Sequence, residues 1–273
     1  RRFFDAMLTV TDKIEVVPLA AAVDCRSSRG LVYLPTATYQ EMMEWSLLAE
    51  QGRYYEDLVK RARTEHDWDR KRAFLRGGMW DNFLSKYRES NLMHKKMLKV
   101  SALVQEFGCD ADAQRHLFMG QCNCAYWHGL FGGIYVGALR HAVYENLLRA
   151  EEIVDGKRLA DHTWVMDRSD YDRDGHEEIL LSGRSINCFI SPRENASVFA
   201  LEYKPARYSL SNILMRTPEI YHKDVLNPQG HRKGSDGEPL SIHDIPHETS
   251  DEFRELLVYD TYRKNSFITH YLQ

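Results

Sequence analysis

The residues best equipped for chemistry lie in one run: Gln121-Cys122-Asn123-Cys124-Ala125-Tyr126-Trp127-His128-Gly129-Leu130-Phe131-Gly132-Gly133. Glycines disfavour a helix here, and aromatics disfavour a plain solvated loop. A flat indole face at Trp127 suits stacking on the C–H face of a sugar ring. Gln121, Asn123 and His128 suit hydrogen bonds to ring hydroxyls. Together they describe one wall of a sugar-binding cleft. A glycine-punctuated turn pinned by core aromatics fits the same residues equally well. Cys122-x-Cys124 with His128 falls short of a tetrahedral zinc site, because Cys109 and His116 complete no known ligand spacing.

Three other segments carry reactive groups. In Phe74-Leu75-Arg76-Gly77-Gly78-Met79-Trp80 the glycines permit close backbone approach. Arg76 is a fixed donor there, able to meet a substrate hydroxyl or orient a carboxylate. A helix-start turn with Trp80 in the core is the plainer reading. Asn91 and His94 are three residues apart and share a helix face. The run Asp170-Tyr171-Asp172-Arg173-Asp174-Gly175-His176-Glu177-Glu178 alternates carboxylates before a glycine. Asp170, Asp172, Asp174 and Glu178 could converge on a structural Ca²⁺. An EF-hand is excluded, since its twelfth position would be Leu181. A calcium turn of another kind and a solvated turn both stay open. No carboxylate pair stands out for glycoside cleavage. There is also no nucleophile elbow, phosphate-cradling loop or dinucleotide fingerprint. No cofactor is required by any motif.

Composition bounds what these residues belong to. The 273-residue chain carries a net charge of -4 with both signs interspersed, which argues against a nucleic-acid surface or a polybasic membrane face. No apolar run approaches the ~20 residues of a membrane helix. Five scattered cysteines suit reduced thiols and a cytoplasmic location. The opening Arg1-Arg2-Phe3-Phe4, without an initiator methionine, reads as the start of a piece of a longer protein.

Several elements must position the reactive segments. Ile14-Glu15-Val16-Val17 and Gly30-Leu31-Val32-Tyr33-Leu34 read as strands, the second ended by Pro35. Thr38 with Glu41 reads as a capping box for a helix carrying Met42, Met43, Trp45, Leu47 and Leu48. A strand followed by a helix suits the end of a β/α barrel. Residues 52–154 read as an all-helical domain. Its apolar stripes are Trp80, Phe83, Leu84, Tyr87; Met93, Met97, Val100, Val104; and Val136, Leu139, Val143, Leu147. The Met stripe is read as core. The character changes at Asp155-Gly156. Short runs follow at Thr163–Met166, Glu178–Ser182, Ile186–Ile190 and Ser197–Tyr203, suggesting an antiparallel β-sandwich. Asn227–Asp244 reads as a long exposed loop.

Taken in order, these stretches resemble glycoside hydrolase family 57 in its 4-alpha-glucanotransferase and alpha-amylase branch. The similar segments begin with Leu34–Tyr39 and Glu41–Trp45, then Arg76–Phe83 and Asn91–Lys95. Gln121–Asn123 with Ala125–Gly129 follows, then Asp172–Glu178, Arg216–His222 and Ser241–Asp244. The resemblance implies a barrel tail over 1–51, a helical domain over 52–154 and an incomplete β-sandwich over 155–273. It implies a retaining enzyme acting on α-1,4-glucan or maltooligosaccharide, with its glutamate nucleophile and aspartate acid/base upstream of residue 1. A homodimer is left open. It also matches Trp127 to a substrate-side tryptophan. Cys124 stands where the family pattern has an aspartate, and Gly137-Ala138 where it has Pro-His. A thiol supplies neither the charge nor the paired acceptors of a carboxylate. A non-catalytic glucan-binding or scaffold protein is therefore the rival reading. Leu272-Gln273 ends early for the sandwich, which would leave a strand edge unpaired.

Overall fold

The computed structural model describes residues 2–25, 27–28, 30–33, 38–108, 110–128, 132–160, 162–222 and 255–270. Leu34–Ala37, Gly129–Phe131, the predicted loop Asn227–Asp244 and the end at Leu272-Gln273 lie outside the described residues. The chain divides into two compact units, Arg1–Ala37 and Thr38–Gln273.

The first unit holds two short helices, α1 (Arg2–Leu8) and α2 (Leu19–Asp24), neither with a buried residue. The predicted strands at Ile14–Val17 and Gly30–Leu34 are not formed among the described residues. A strand needs a partner for its backbone N–H and C=O groups. Ile14, Val16 and Val17 are instead exposed. This unit therefore does not display a barrel end.

The second unit begins with helices α3 (Gln40–Trp45), α4 (Ala49–Thr64), α5 (Trp68–Lys71) and α6 (Trp80–Lys86). It continues through α7 (Arg88–Glu106), α8 (Ala111–Gly120) and α9 (Gly137–Arg158). The expected Thr38 capping box is absent: α3 starts at Gln40 after Tyr39, which caps it with no side-chain bond. Leu47 and Leu48 fall beyond the end of α3.

The core of the helical part forms where α7, α8 and α9 cross. Met93, Val100 and Val104 meet Ala113, Leu117, Val143, Leu147 and Val154. Gly120 lets α8 and α9 approach closely, because a Cβ there would lie 2.5 Å from Leu147 Cδ2. Asp110 caps α8 by accepting from the N–H groups of Asp112 and Ala113. The Met stripe is core, as its spacing implied. Leu139, by contrast, is exposed, and Arg140 takes the inward position beside it.

Helix α9 passes through Asp155-Gly156 to Arg158 without a break. The sheet follows as β1 (Trp164–Ser169), β2 (Glu178–Gly183), β3 (Ile186–Ser191), β4 (Ser197–Tyr203) and β5 (Tyr208–Ser209). Each strand pairs antiparallel with its neighbour in sequence, in the order β1-β2-β3-β4-β5. The described residues thus form one five-stranded meander rather than two facing sheets.

One face of the sheet packs on α7 and α9 in two ways. Tyr171, Leu180, Phe189 and Phe199 make an apolar patch against Leu92. Beside it runs a dry seam of charge. Lys96 of α7 donates to Glu151 of α9 at 2.5 Å and to Glu202 of β4 at 2.7 Å. Asn187 of β3 donates to both glutamates. Lys204 donates to Asp155 at 2.5 Å. Lys96, Glu151, Glu202 and Lys204 are each no more than 1% exposed. No described helix is long and apolar enough to cross a membrane.

Candidate substrate-wall site

The Trp127 segment begins where α8 ends at Gln121. One 3₁₀ turn, Asn123–Ala125, brings the chain back toward α7. Buried Tyr126 fixes this return: its hydroxyl donates to Gly120 O at 2.6 Å, and its carbonyl accepts from Ser90 Oγ at 2.5 Å. The next carbonyl, that of Trp127, accepts from Ile134 N–H at 2.9 Å. The glycine pair explains how Ile134 gets so close. Gly132 and Gly133 have φ of +99° and +43°. A Cβ on Gly133 would lie 2.0 Å from the Trp127 oxygen. The glycines therefore serve a backbone-on-backbone approach that holds the tryptophan in place.

Trp127 is half-buried. Its ring meets Tyr39 edge-on at 5.6 Å between centroids and leans on Phe83 at 4.8 Å. The plate is thus neither sealed in the core nor fully free. His128, also half-buried, stacks on Trp45 at 3.4 Å with the rings 16° apart. The edge of Tyr135 meets it at 5.2 Å. His128 Nε2 is buried and has no hydrogen-bond partner. Burial pushes the His128 pKa down to about 4, assisted by the nearby Lys86 charge and only partly opposed by Glu219. At neutral pH the ring is therefore an uncharged imidazole with one nitrogen still unbonded. That is a group suited to a neutral hydroxyl.

Behind the imidazole lies Glu219, 2% exposed. Its Oε1 accepts from the hydroxyls of Tyr87 and Tyr135, each at 2.7 Å, and its Oε2 from Lys86 Nζ at 3.0 Å. Lys86 also donates to Trp45 O at 3.2 Å. Burial, followed by the Glu219 charge, pushes the Tyr87 hydroxyl far above the usual tyrosine range, and burial, followed by Tyr87 and then Glu219, does the same to the Tyr135 hydroxyl. Both remain donors to the carboxylate.

The expected contacts divide. Trp127 and His128 come together with Trp45, Tyr39 and Phe83. Gln121 and Asn123 lie exposed on the same turn, the first donating to Met97 Sδ and the second accepting weakly from Cys124. Arg76 is exposed and donates from Nε to Ala73 O at 3.0 Å; the structure gives it no contact with Trp127 or His128. The close approach permitted by Gly77 is to α3: a Cβ there would lie 2.2 Å from Met43 O. Asn91 donates to Asp172 O, and His94 lies edge-on to Trp80 and Tyr126. Neither joins the Trp127 group. Sequence reading missed Trp45, Tyr135 and Glu219 as partners of His128. The one available signal was the run Arg216–His222, singled out by resemblance and left without a role.

Among the described residues, one group of carboxylates lies close enough for a metal ion: Asp170, Asp172 and Asp174, within 4.8 Å of one another. Glu178, expected as a fourth ligand, is not in the group and accepts from Tyr171 N–H at 2.9 Å. Each of the three aspartates has a partner, although Asp172 Oδ1 is buried without one. Asp170 takes the N–H groups of Asp174 and Gly175, Asp174 takes His176 N–H and Arg193, and Asp172 takes Arg88. The turn docks on α7 through Arg88 and Asn91.

Comparison with known proteins places this architecture. Residues 78–154 match the family described as alpha-amylase/4-alpha-glucanotransferase, middle domain, and residues 170–273 match alpha-amylase/4-alpha-glucanotransferase, C-terminal. The chain belongs to the alpha-amylase/4-alpha-glucanotransferase family. It is similar to "Alpha-amylase 1" of Dictyoglomus thermophilum, at 38% identity over 88% of this chain and 34% of that protein. It is similar to the 4-alpha-glucanotransferase of Thermococcus litoralis, at 36% identity over 100% of this chain and 40% of that protein. The crystal structure of the Thermococcus litoralis enzyme superposes with a TM-score of 0.69, covering 95% of this chain and 37% of its own. The chain therefore spans well under half the length of these relatives.

Proposed function

We propose that this chain is the C-terminal part of a retaining α-1,4-glucan-acting enzyme of the 4-alpha-glucanotransferase or alpha-amylase type, and that it supplies one wall of the substrate cleft. The supporting observation is the pairing of a half-buried Trp127 ring with a neutral His128 whose Nε2 is unbonded. The tryptophan would stack on a glucose ring, and the imidazole would meet a ring hydroxyl. Gln121 and Asn123, exposed on the same turn, would reach outer hydroxyls.

In this reading residues 1–51 pack as the tail of a barrel, 52–154 form the helical domain, and the sheet after 155 is one layer of a sandwich. The carboxylate pair that cleaves the linkage through a covalent glycosyl intermediate belongs to the part of the relatives that this chain does not span. No catalytic residue is assigned within residues 1–273.

Trp127→Ala in a full-length protein carrying this chain is expected to weaken use of maltooligosaccharide by on the order of 1–3 kcal/mol, the scale of a lost aromatic platform. Steady-state kinetics on a defined oligosaccharide series measure it. Unchanged kcat/KM would remove Trp127 from the site. Oligosaccharide binding without any bond cleavage by the parent protein would favour the glucan-binding rival.

A further inference from the structure

One buried carboxylate stands directly behind the proposed wall, and the sugar contacts themselves do not use it. Glu219 lies on the segment that follows the sheet. That segment returns to the helical part and is locked there. Ile220 packs over Gly52, where a Cβ would lie 2.4 Å from Ile220 Cδ1. The Glu219 N–H donates to His222 Nδ1 at 3.1 Å, and His222 in turn contacts the Tyr259 hydroxyl at 3.0 Å. The carboxylate is thus delivered on fixed backbone.

Each partner of this carboxylate lies near His128 or bonds the residue it stacks on. Tyr135 presents its edge to the imidazole at 5.2 Å, and Tyr87 lies 6.5 Å away. Lys86 bonds the carbonyl of Trp45 and sits 5.9 Å from its ring, the ring on which His128 stacks. His128 Nε2 finds no protein partner. The direction in which Nε2 points therefore depends on the packing of these rings, and the packing depends on where their polar ends are tied. Three of those ties meet at Glu219.

We infer that Glu219 is a positioning residue for His128, aiming the imidazole at the substrate through Tyr87, Tyr135 and Lys86. The inference rests on the reading of His128 as a sugar contact. It gives the segment after the sheet a part in substrate recognition, in addition to its packing. Small displacements of a positioned group are costly in proportion to their effect on alignment, so the consequence should appear in binding of the oligosaccharide.

The test is a double-mutant cycle in the full-length protein, read as KM and kcat for a maltooligosaccharide. Glu219→Gln keeps the side-chain shape and removes the charge that holds Lys86. It should raise KM about tenfold with kcat within about twofold. His128→Ala should raise KM alone, and adding Glu219→Gln to it should change KM by less than about twofold. A KM increase of the same factor in both backgrounds, or no increase in the wild-type background, overturns the role of Glu219. If Glu219→Gln is too unstable to assay, Tyr135→Phe removes one of the ties and should show the same dependence on His128. A His128→Ala variant with unchanged KM would remove the sugar contact itself, and the inference with it. That outcome is distinct from additive effects, which sink only the role of Glu219.

Discussion

Lys96→Met is expected to destabilise the folded chain by about 3–5 kcal/mol, the cost of leaving buried charge without its partner. Methionine preserves most of the lysine stem, so little packing is lost. What remains is Glu151 and Glu202, 0% and 1% exposed, facing each other across a gap that held an ammonium. Asn187 still donates to both, and Lys204 and Arg158 stay 3.7 and 3.8 Å from Glu151, but both cations also pair with Asp155 and an amide does not neutralise Glu202. Denaturant unfolding of the variant beside the parent measures the difference. A loss below about 1 kcal/mol would show that the seam is solvated or readily rearranged.

The same variant should respond to pH with a definite sign. Burial by itself raises the Glu151 pKa, but Lys96 and Lys204 more than reverse this and hold it below the ordinary carboxylate value. A carboxyl depressed in this way contributes stability above its unfolded pKa and loses that contribution as pH falls through the folded value. Without Lys96, burial prevails more and the carboxyl takes up a proton more readily. The deficit of Lys96→Met should therefore shrink from about pH 8 to about pH 5. A deficit that grows on acidification contradicts this balance.

The second large effect is expected at Gly133. Alanine there must adopt a φ of +43° and place its Cβ 2.0 Å from the Trp127 carbonyl. The left-handed backbone costs about 1–2 kcal/mol for an L-residue. Displacing the carbonyl breaks its bond from Ile134 N–H, worth a further ~1–3 kcal/mol when the groups stay buried. Gly133→Ala should therefore lose about 2–5 kcal/mol of stability. In the full-length protein it should also weaken maltooligosaccharide use, because the carbonyl that must move belongs to Trp127. A variant with parental stability would contradict the close approach. A destabilised variant with parental kcat/KM would separate the loop from the substrate.

These effects also mark where the sequence is transparent and where it is not. The strand Ser197–Tyr203 was legible to the residue, because β-branched and aromatic residues there sit between turn residues. Met93, Val100 and Val104 were legible because helical spacing reports a buried face. Gly156 misled because a glycine normally punctuates a helix. Here α9 simply continues, with nothing near enough for a Cβ to meet. Ile14–Val17 misled because strand composition says nothing about whether a pairing partner exists. The glycines of Arg76-Gly77-Gly78 were read as permitting close approach, and Gly77 admits the carbonyl of Met43 while Gly78 admits the side chain of Ser46.

The candidate site was half legible. Trp127 and His128 announced themselves by composition within a few residues. Their supports did not. Tyr87, Tyr135 and Glu219 are separated by 48 and 84 positions, and only folding brings their polar ends to one carboxylate. Lys96, Glu151 and Glu202 drew no notice in the sequence, since nothing in their spacing tells that all three lie on one buried seam.

The most direct measurement is a crystal structure of the full-length protein with a bound maltooligosaccharide. A glucose ring should lie against the Trp127 ring at van der Waals distance, roughly 4 Å, with one of its hydroxyls within hydrogen-bond reach of His128 Nε2. An oligosaccharide ordered in the cleft with no sugar ring near Trp127 and His128 would contradict the assignment of this wall.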